Sequence, residues 1–324
     1  MNLIICMTPL QVLTAQKIIA LTGNQPYIAI YMSYTDNKKH RHYYELLSKQ
    51  STNSAYLILK NKTNKERLLT FRDVRNSYKA LALSKYSIDN VYLSSIDTMF
   101  VQYILSKIKF KNLFTFDDGS ANVFENSEYF IQKKQSSAKI AFKKLIGIRF
   151  NTIEDVKKEI SKHYSIYPNE KNIIDHVEVV NIFENVPKMR NNTPVEVQKI
   201  ILGQGLDTLI GEKNYKDILM NMSKLLDIGY FFPHPRENLN FENWFEVIDT
   251  HLVIEDYLIE KMNSNANTRF ELYTFSSSSI LSLVNFNRIS VKIVYNKVLM
   301  DEFSSSYEFL ASRGFNLIDL DKLS

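Results

Sequence analysis

The sequence predicts an α/β protein of two doubly wound, Rossmann-like domains facing a cleft. Three observations lead there. The chain has 324 residues, 45% of them hydrophobic, too many for one small core and suited to two domains of roughly 150 residues each. Short β-branched or aromatic runs alternate with longer amphipathic segments, the pattern of a parallel sheet covered by helices on both faces. That alternation fades in the middle of the chain and then restarts.

In order, the first half predicts a strand at Asn2–Cys6 and a helix over Pro9–Leu21, then strands at Tyr27–Met32, Ala55–Leu59, Val91–Ser95 and Leu113–Phe116. Helical patterns fall near His40–Lys49, Lys65–Ser84 and Ile96–Lys107. From about Glu125 to Asn192 charged helical stretches such as Thr152–His163 take over, followed by the polar connection Lys188–Pro194. This places the first domain at residues 1–192, with a helical segment at 125–192, and the second at 193–324. The pattern resumes with strands at Val197–Leu202, Tyr230–Phe232, Phe270–Phe275 and Val291–Tyr295. Between them lie helices over Glu212–Leu226 and Ile254–Met262 and one starting at Ser277.

Composition excludes several classes. No run of about 18 apolar residues occurs, and the N-terminus opens into a strand-like segment without a secretory signal, so the expectation is a soluble, cytoplasmic protein. The single cysteine, Cys6, lies in an apolar run and is read as buried. A net charge of +5 is spread along the chain, with no sign of nucleic-acid binding. Lys133, Lys134, Lys139, Lys143 and Lys144 do cluster; a solvated helix face is the first reading, and contact with an anionic surface or acceptor the sharper one. There is neither His/Cys ligand spacing nor a GxxxxGK[ST] loop, which argues against zinc and ATP chemistry.

In open parallel sheets ligands bind beyond the carboxyl ends of strands, and in the second half those positions are polar. Gly203-Gln-Gly-Leu-Asp207 follows one strand, Pro233-His-Pro-Arg236 the next, and Ser276-Ser-Ser-Ser279 a third. The serine run opens an apolar helical pattern, so its hydroxyls and N–H groups suit a phosphate; an ordinary N-cap and polar turn is the plainer reading. His234, held extended between prolines, is a candidate acid for a departing nucleotide, and Asp207 a candidate base for an attacking hydroxyl. In the first half Phe116 is followed by Asp117-Asp-Gly119. Adjacent carboxylates there suit a divalent metal, a sugar held through its hydroxyls, or a capped turn, and all three stay open.

Six short motifs then stand in order: Leu3-Ile-Ile-Cys-Met-Thr-Pro-Leu-Gln11, Phe116-Asp-Asp-Gly119 with Asn122, Leu202-Gly203, Pro233-His-Pro-Arg236, Val253-Ile-Glu-Asp-Tyr257 and Tyr273-Thr-Phe-Ser276. Together they resemble the bacterial sialyltransferases of glycosyltransferase family 52, from the first strand to the last helix. The resemblance implies a GT-B architecture and an inverting, metal-independent enzyme that needs no cofactor. Its donor would be CMP-sialic acid and its acceptor a terminal galactoside of lipooligosaccharide or capsule. Carried over, Asp207 is the base, His234 the acid, Glu255 the residue holding the cytidine ribose, and Ser276 and Ser277 the phosphate-binding segment. Gly203, Pro235 and Arg236 belong to the donor-side motifs. Asp117, Asp118 and Gly119, together with Thr8 and Gln11 of the first motif, fall on the sialic acid and acceptor side. The Gly203–Asp207 loop is one residue longer than the family pattern, which leaves Glu212 as the alternative base. Members also imply a homodimer exchanging a helical segment, for which residues 125–192 are the candidate, and membrane association peripheral to the inner membrane.

Two other readings compete. A transferase with another donor, such as a UDP-sugar, would use the same loops for a diphosphate. A non-catalytic glycan-assembly protein would bind CMP without turnover. The linkage formed has no readable code in the sequence.

Overall fold

The computed structural model describes all residues except 24, 132–134, 169, 184–195, 235, 236, 238, 278, 284, 285 and 324. The chain divides into two compact units, Met1–Ile182 and Phe183–Ser324. Both are α/β, each built on one parallel sheet.

The N-terminal unit runs β1 (Asn2–Cys6), α1 (Pro9–Leu21), β2 (Tyr27–Ser33), α2 (Lys38–Lys49), β3 (Asn53–Ile58), α3 (Asn64–Ala80), β4 (Ile88–Leu93), α4 (Met99–Lys107), β5 (Phe110–Phe116), α5 (Ser137–Leu145), α6 (Ile153–Lys157), β6 (Ile160–Ser165) and β7 (Val177–Val179). Its seven strands are ordered β3-β2-β1-β4-β5-β6-β7. The central strands are apolar on both faces because helices cover both, and Leu3, Ile5, Ile30, Met32, Val91, Leu93 and Leu113 join one buried cluster. Each such side chain, fully buried, contributes about 1.5–3 kcal/mol. Cys6, at the end of central strand β1, is wholly buried, and that burial pushes its thiol pKa up.

The C-terminal unit runs β8 (Glu196–Leu202), α7 (Asp207–Ile210), α8 (Glu212–Leu226), β9 (Tyr230–Phe232), β10 (Glu246–Val247), α9 (Ile254–Ser264), β11 (Thr268–Thr274), α10 (Ile280–Leu283), β12 (Ile289–Tyr295), α11 (Lys297–Ser312) and β13 (Asn316–Asp319). Its sheet order is β10-β9-β8-β11-β12-β13. Counted from the first strand of each unit, the C-terminal sheet reads 3-2-1-4-5-6, the Rossmann order, and the N-terminal sheet reads the same with a seventh strand added beyond the sixth. The direction of winding therefore reverses between β1 and β4 in one unit and between β8 and β11 in the other.

Three sequence expectations need correction. Thr152–His163 is not helical throughout: Thr152 and Asp155 close a capping box over the five-residue α6, and the chain then enters β6. That strand escaped the apolar-run criterion because its buried residues include His163 and Ser165, whose polar atoms are satisfied inside the unit. The helix placed from Ser277 is a single described turn, Ile280–Leu283. Within the lysine cluster, Lys139 and Lys144 are exposed, but Lys143 is buried and donates to the carbonyls of Phe150 and Asn151. Desolvation lowers its pKa to about 8. Lys133 and Lys134 lie outside the described residues.

Among the described residues no helix is long and apolar enough to cross a membrane.

Candidate active site

In the C-terminal unit β8 pairs in parallel with both β9 and β11, so the loops after these three strands share one edge of the sheet, at the point where the winding reverses. Gly203 begins the loop after β8. Its N–H donates to the carbonyl of Phe232, and a Cβ built there would stand 2.7 Å from Cζ of Phe231 and 3.1 Å from the backbone nitrogen of His234. Only glycine lets the two strand ends approach this closely. Gly205 takes φ +59°, the left-handed region, and turns the chain into α7, which Asp207 opens. Asp207 is half-buried. Glu212, the alternative base, is exposed at the start of α8 and ion-paired with Lys216.

His234 follows β9 and is half-buried. Its carbonyl accepts the N–H of Glu237 at 2.8 Å. Pro235 and Arg236 lie outside the described residues. The Glu237 carboxylate accepts the Tyr215 hydroxyl at 2.9 Å. Burial pushes the Glu237 pKa up, and the charge of nearby Asp207 adds to that push.

Beyond β11, Ser276 and Ser277 are half-buried. The N–H groups of Phe275 and Ser276 both donate to Oε1 of Gln204, at 2.9 and 3.0 Å, and that oxygen also accepts the Thr274 hydroxyl at 2.9 Å. The N–H of Ser277 donates to Thr274 Oγ1 and that of Ser279 to Ser277 Oγ. These amides are internally committed and α10 has only four residues, so a helix N-terminus is not what this segment offers a phosphate. It offers the hydroxyls of Ser276 and Ser277 just beyond the strand end. Glu255, in the first turn of α9, is 2% exposed and accepts the Ser282 hydroxyl at 3.5 Å. Desolvation pushes its pKa up to about 7, so near neutral pH its carboxyl is an interior group poised between donor and acceptor.

In the N-terminal unit the adjacent aspartates divide. Asp117 is 2% exposed. It accepts His163 Nε2 at 2.9 Å, Ser165 Oγ at 2.9 Å, the N–H of Ile166 at 2.6 Å and Asn172 Nδ2 at 3.5 Å, which fills the four lone-pair positions of a carboxylate. The same histidine hydrogen-bonds Thr115 through Nδ1. Asp118 points the other way, accepting Gln11 Nε2 at 2.7 Å and the Tyr129 hydroxyl at 2.8 Å. Gly119 follows at φ +55°. Thr8 and Gln11 form a capping box at the head of α1, and Gln11, 1% exposed, also donates to Ser95 at 3.3 Å. Tyr129 reaches Asp97 as well, at 3.1 Å. Surrounding protein and then Asp118 push the Asp97 pKa up. These groups gather where β1, β4 and β5 end, at that unit's own switch point.

Gln204, Tyr215 and Glu237, with Asp97, Ser95, Tyr129 and His163, belong to the hydrogen-bond networks around the candidate residues and were not singled out from sequence. Asp97 was within reach of the rule that found the others, because it stands four residues beyond β4. Gln204 sits between two glycines at a strand end, which is a signal of the same kind. The Thr8–Gln11 capping box is likewise a readable pattern.

The sequence profile of Glycosyltransferase family 52 matches residues 24–298. The chain belongs to glycosyltransferase family 52. The resemblance drawn from the six motifs is thereby borne out, and the chain is a transferase of that family. It is 29% identical over 324 residues to a "CMP-N-acetylneuraminate:beta-galactoside alpha-2,3-sialyltransferase" of Pasteurella multocida (strain Pm70), covering 99% of each chain. An "N-acetyllactosaminide alpha-2,3-sialyltransferase" of Haemophilus influenzae (strain ATCC 51907 / DSM 11121 / KW20 / Rd) is 27% identical over 299 residues, 92% of this chain and 93% of that one. A family 52 protein so closely matched in length also includes, among its relatives, an "N-acetyllactosaminide alpha-2,3-sialyltransferase" of Neisseria meningitidis serogroup A / serotype 4A (strain DSM 15465 / Z2491), at 24% identity, 99% of this chain and 86% of the other.

Proposed function

We propose that this family 52 transferase moves sialic acid from CMP-sialic acid to a terminal galactoside of a bacterial surface glycan, lipooligosaccharide or capsule, forming an α2,3 linkage with inversion. The observation carrying the reading is the near full-length match to relatives named as α-2,3-sialyltransferases. A β-linked CMP donor and an α-linked product require one in-line displacement. Asp207 takes the proton of the attacking hydroxyl as the new C–O bond forms. The bond from the anomeric carbon to the CMP phosphate oxygen breaks, and His234 supplies a proton or hydrogen bond to that oxygen. The hydroxyls of Ser276 and Ser277 hold the phosphate. Each such contact is worth on the order of 10²–10³ in rate.

The reaction proceeds without a metal in this reading. CMP leaves as a monophosphate, carrying less charge than a nucleoside diphosphate, so hydrogen bonds and one cation suffice. Support comes also from Asp117, whose carboxylate is committed to four internal donors and so serves the fold rather than a cation. Asp118, half-buried at the switch point with one internal donor on each oxygen, keeps acceptor capacity for sugar hydroxyls.

The test is CMP release from CMP-sialic acid with and without lactose, in excess EDTA, for wild type and Asp207→Ala. Lactose-dependent turnover in EDTA that falls at least a hundredfold in the variant is expected, with preferential inhibition by CMP over UDP. Turnover restored only by Mn²⁺ or Mg²⁺, or stronger inhibition by UDP, would overturn the metal-free or the CMP-donor part respectively.

A further inference from the structure

Three loops have to hold one geometry for the chemistry above. The structure shows what couples them. From the loop after β8, the Gln204 side chain takes three donors of the segment after β11: Thr274 Oγ1, Phe275 N–H and Ser276 N–H. Its own backbone N–H donates to the hydroxyl of Tyr215 at 3.2 Å. That hydroxyl donates in turn to Glu237, whose N–H fixes the carbonyl of His234. Tyr215 is wholly buried, with its ring packed edge-on against Phe241 and Phe275, so its oxygen cannot move without moving the core.

We propose that Gln204 and Tyr215 are positioning residues for the transfer reaction, forming with Glu237 a brace that sets the base loop, the acid loop and the phosphate-binding serine turn relative to one another. This rests on the reading of those loops given above. The two residues act on different parts of the brace. Gln204 shapes the serine turn, so its loss weakens CMP binding and turnover together. Tyr215 ties the base loop to the acid loop, so its loss slows the chemical step while bound CMP is little affected. Small displacements suffice, since a misplacement on the order of 1 Å costs about 10² in rate.

The experiment compares wild type, Gln204→Met, Tyr215→Phe and the double variant by CMP affinity in calorimetry and by kcat for lactose-dependent CMP release. Gln204→Met keeps the side chain's length and removes its acceptor. Tyr215→Phe deletes one oxygen and keeps the ring. The expected result is about a tenfold loss of CMP affinity with a larger fall in kcat for Gln204→Met, and about a tenfold fall in kcat with CMP affinity within threefold of wild type for Tyr215→Phe. The double variant should lose less than the product of the single losses, as parts of one unit do. Should Gln204→Met fail to fold, the kcat-against-affinity split of Tyr215→Phe decides. Wild-type kcat in either folded variant, or equal losses of affinity and kcat in Tyr215→Phe, overturns the brace while leaving the sialyltransferase reading intact. A wild type that neither binds CMP nor turns over removes both.

Discussion

Replacing Glu255 by glutamine should stabilise the C-terminal unit in a pH-dependent way, and the size follows from where the carboxyl sits. At 2% exposure, where desolvation outweighs the hydrogen bonds of Ser279 and Ser282, it keeps its proton to about pH 7 in the folded chain, against an ordinary value of 4.5. Below the ordinary value both folded and unfolded chains are protonated. Between 4.5 and about 7 the unfolded chain has released the proton and the folded chain has not, so stability falls as pH rises, and above 7 the loss is complete. At 1.36 kcal/mol per pKa unit this amounts to about 3 kcal/mol. Glutamine has the same shape and no such titration. Urea unfolding at pH 5 and pH 8 measures the difference. The chain's single tryptophan, Trp244, lies in the same unit and near Phe241, so its fluorescence follows the relevant transition. Glu255→Gln should gain most of that 3 kcal/mol on wild type between the two pH values. A variant-to-wild-type difference that is the same at both would refute the reasoning, since it would mean that Glu255 ionises like a solvated carboxyl.

The other predictions concern the aspartate pair and Gly203. Asp117→Ala should cost about 3–5 kcal/mol of stability, because it strands His163, Ser165 and the Ile166 amide in the interior. Asp118→Asn should melt within a few degrees of wild type and lose acceptor-dependent turnover instead, which thermal denaturation and steady-state kinetics separate. Gly203→Ala should destabilise by about 1–3 kcal/mol, since the added carbon has to displace the ring of Phe231 and the backbone at Phe232 and His234. Its kcat should fall with no compensating gain in KM. Turnover in Gly203→Ala equal to wild type would show that the two strand ends tolerate separation.

Much of the architecture was legible because parallel strands covered on both faces are uniformly apolar: Asn2–Cys6 and Tyr230–Phe232 coincide with their observed strands. β6 was illegible for the complementary reason. His163 and Ser165 read as surface residues until Asp117, 46 and 48 positions away, supplies their partners. The same limit governs the site. Strand-end position and residue type are local properties, so the placement of Asp207, His234 and the serines beyond their strands could be read from the sequence. For Gln204 only its place between two glycines is a local signal, because the donors it accepts lie 70 to 72 positions along the chain. Glu255, followed at once by Asp256, looks like an ordinary acidic first helical turn, and nothing local distinguishes the carboxyl that goes inward. Asp117 and Asp118 pose the problem in its shortest form, with neighbouring side chains leaving a strand end in opposite directions and taking different tasks.

Cys6 closes the first strand of the N-terminal sheet with its sulfur shielded and its thiol held protonated. For a chain with a single cysteine, that leaves the native fold without an accessible thiol for thiol-directed probes. A cysteine placed by mutation at an exposed loop position would be the unique point of attachment for a dye or spin label, with no native thiol to remove first. The rate at which Cys6 itself becomes labelled would then serve as an internal clock for opening of the sheet around it, read in the same reaction vessel.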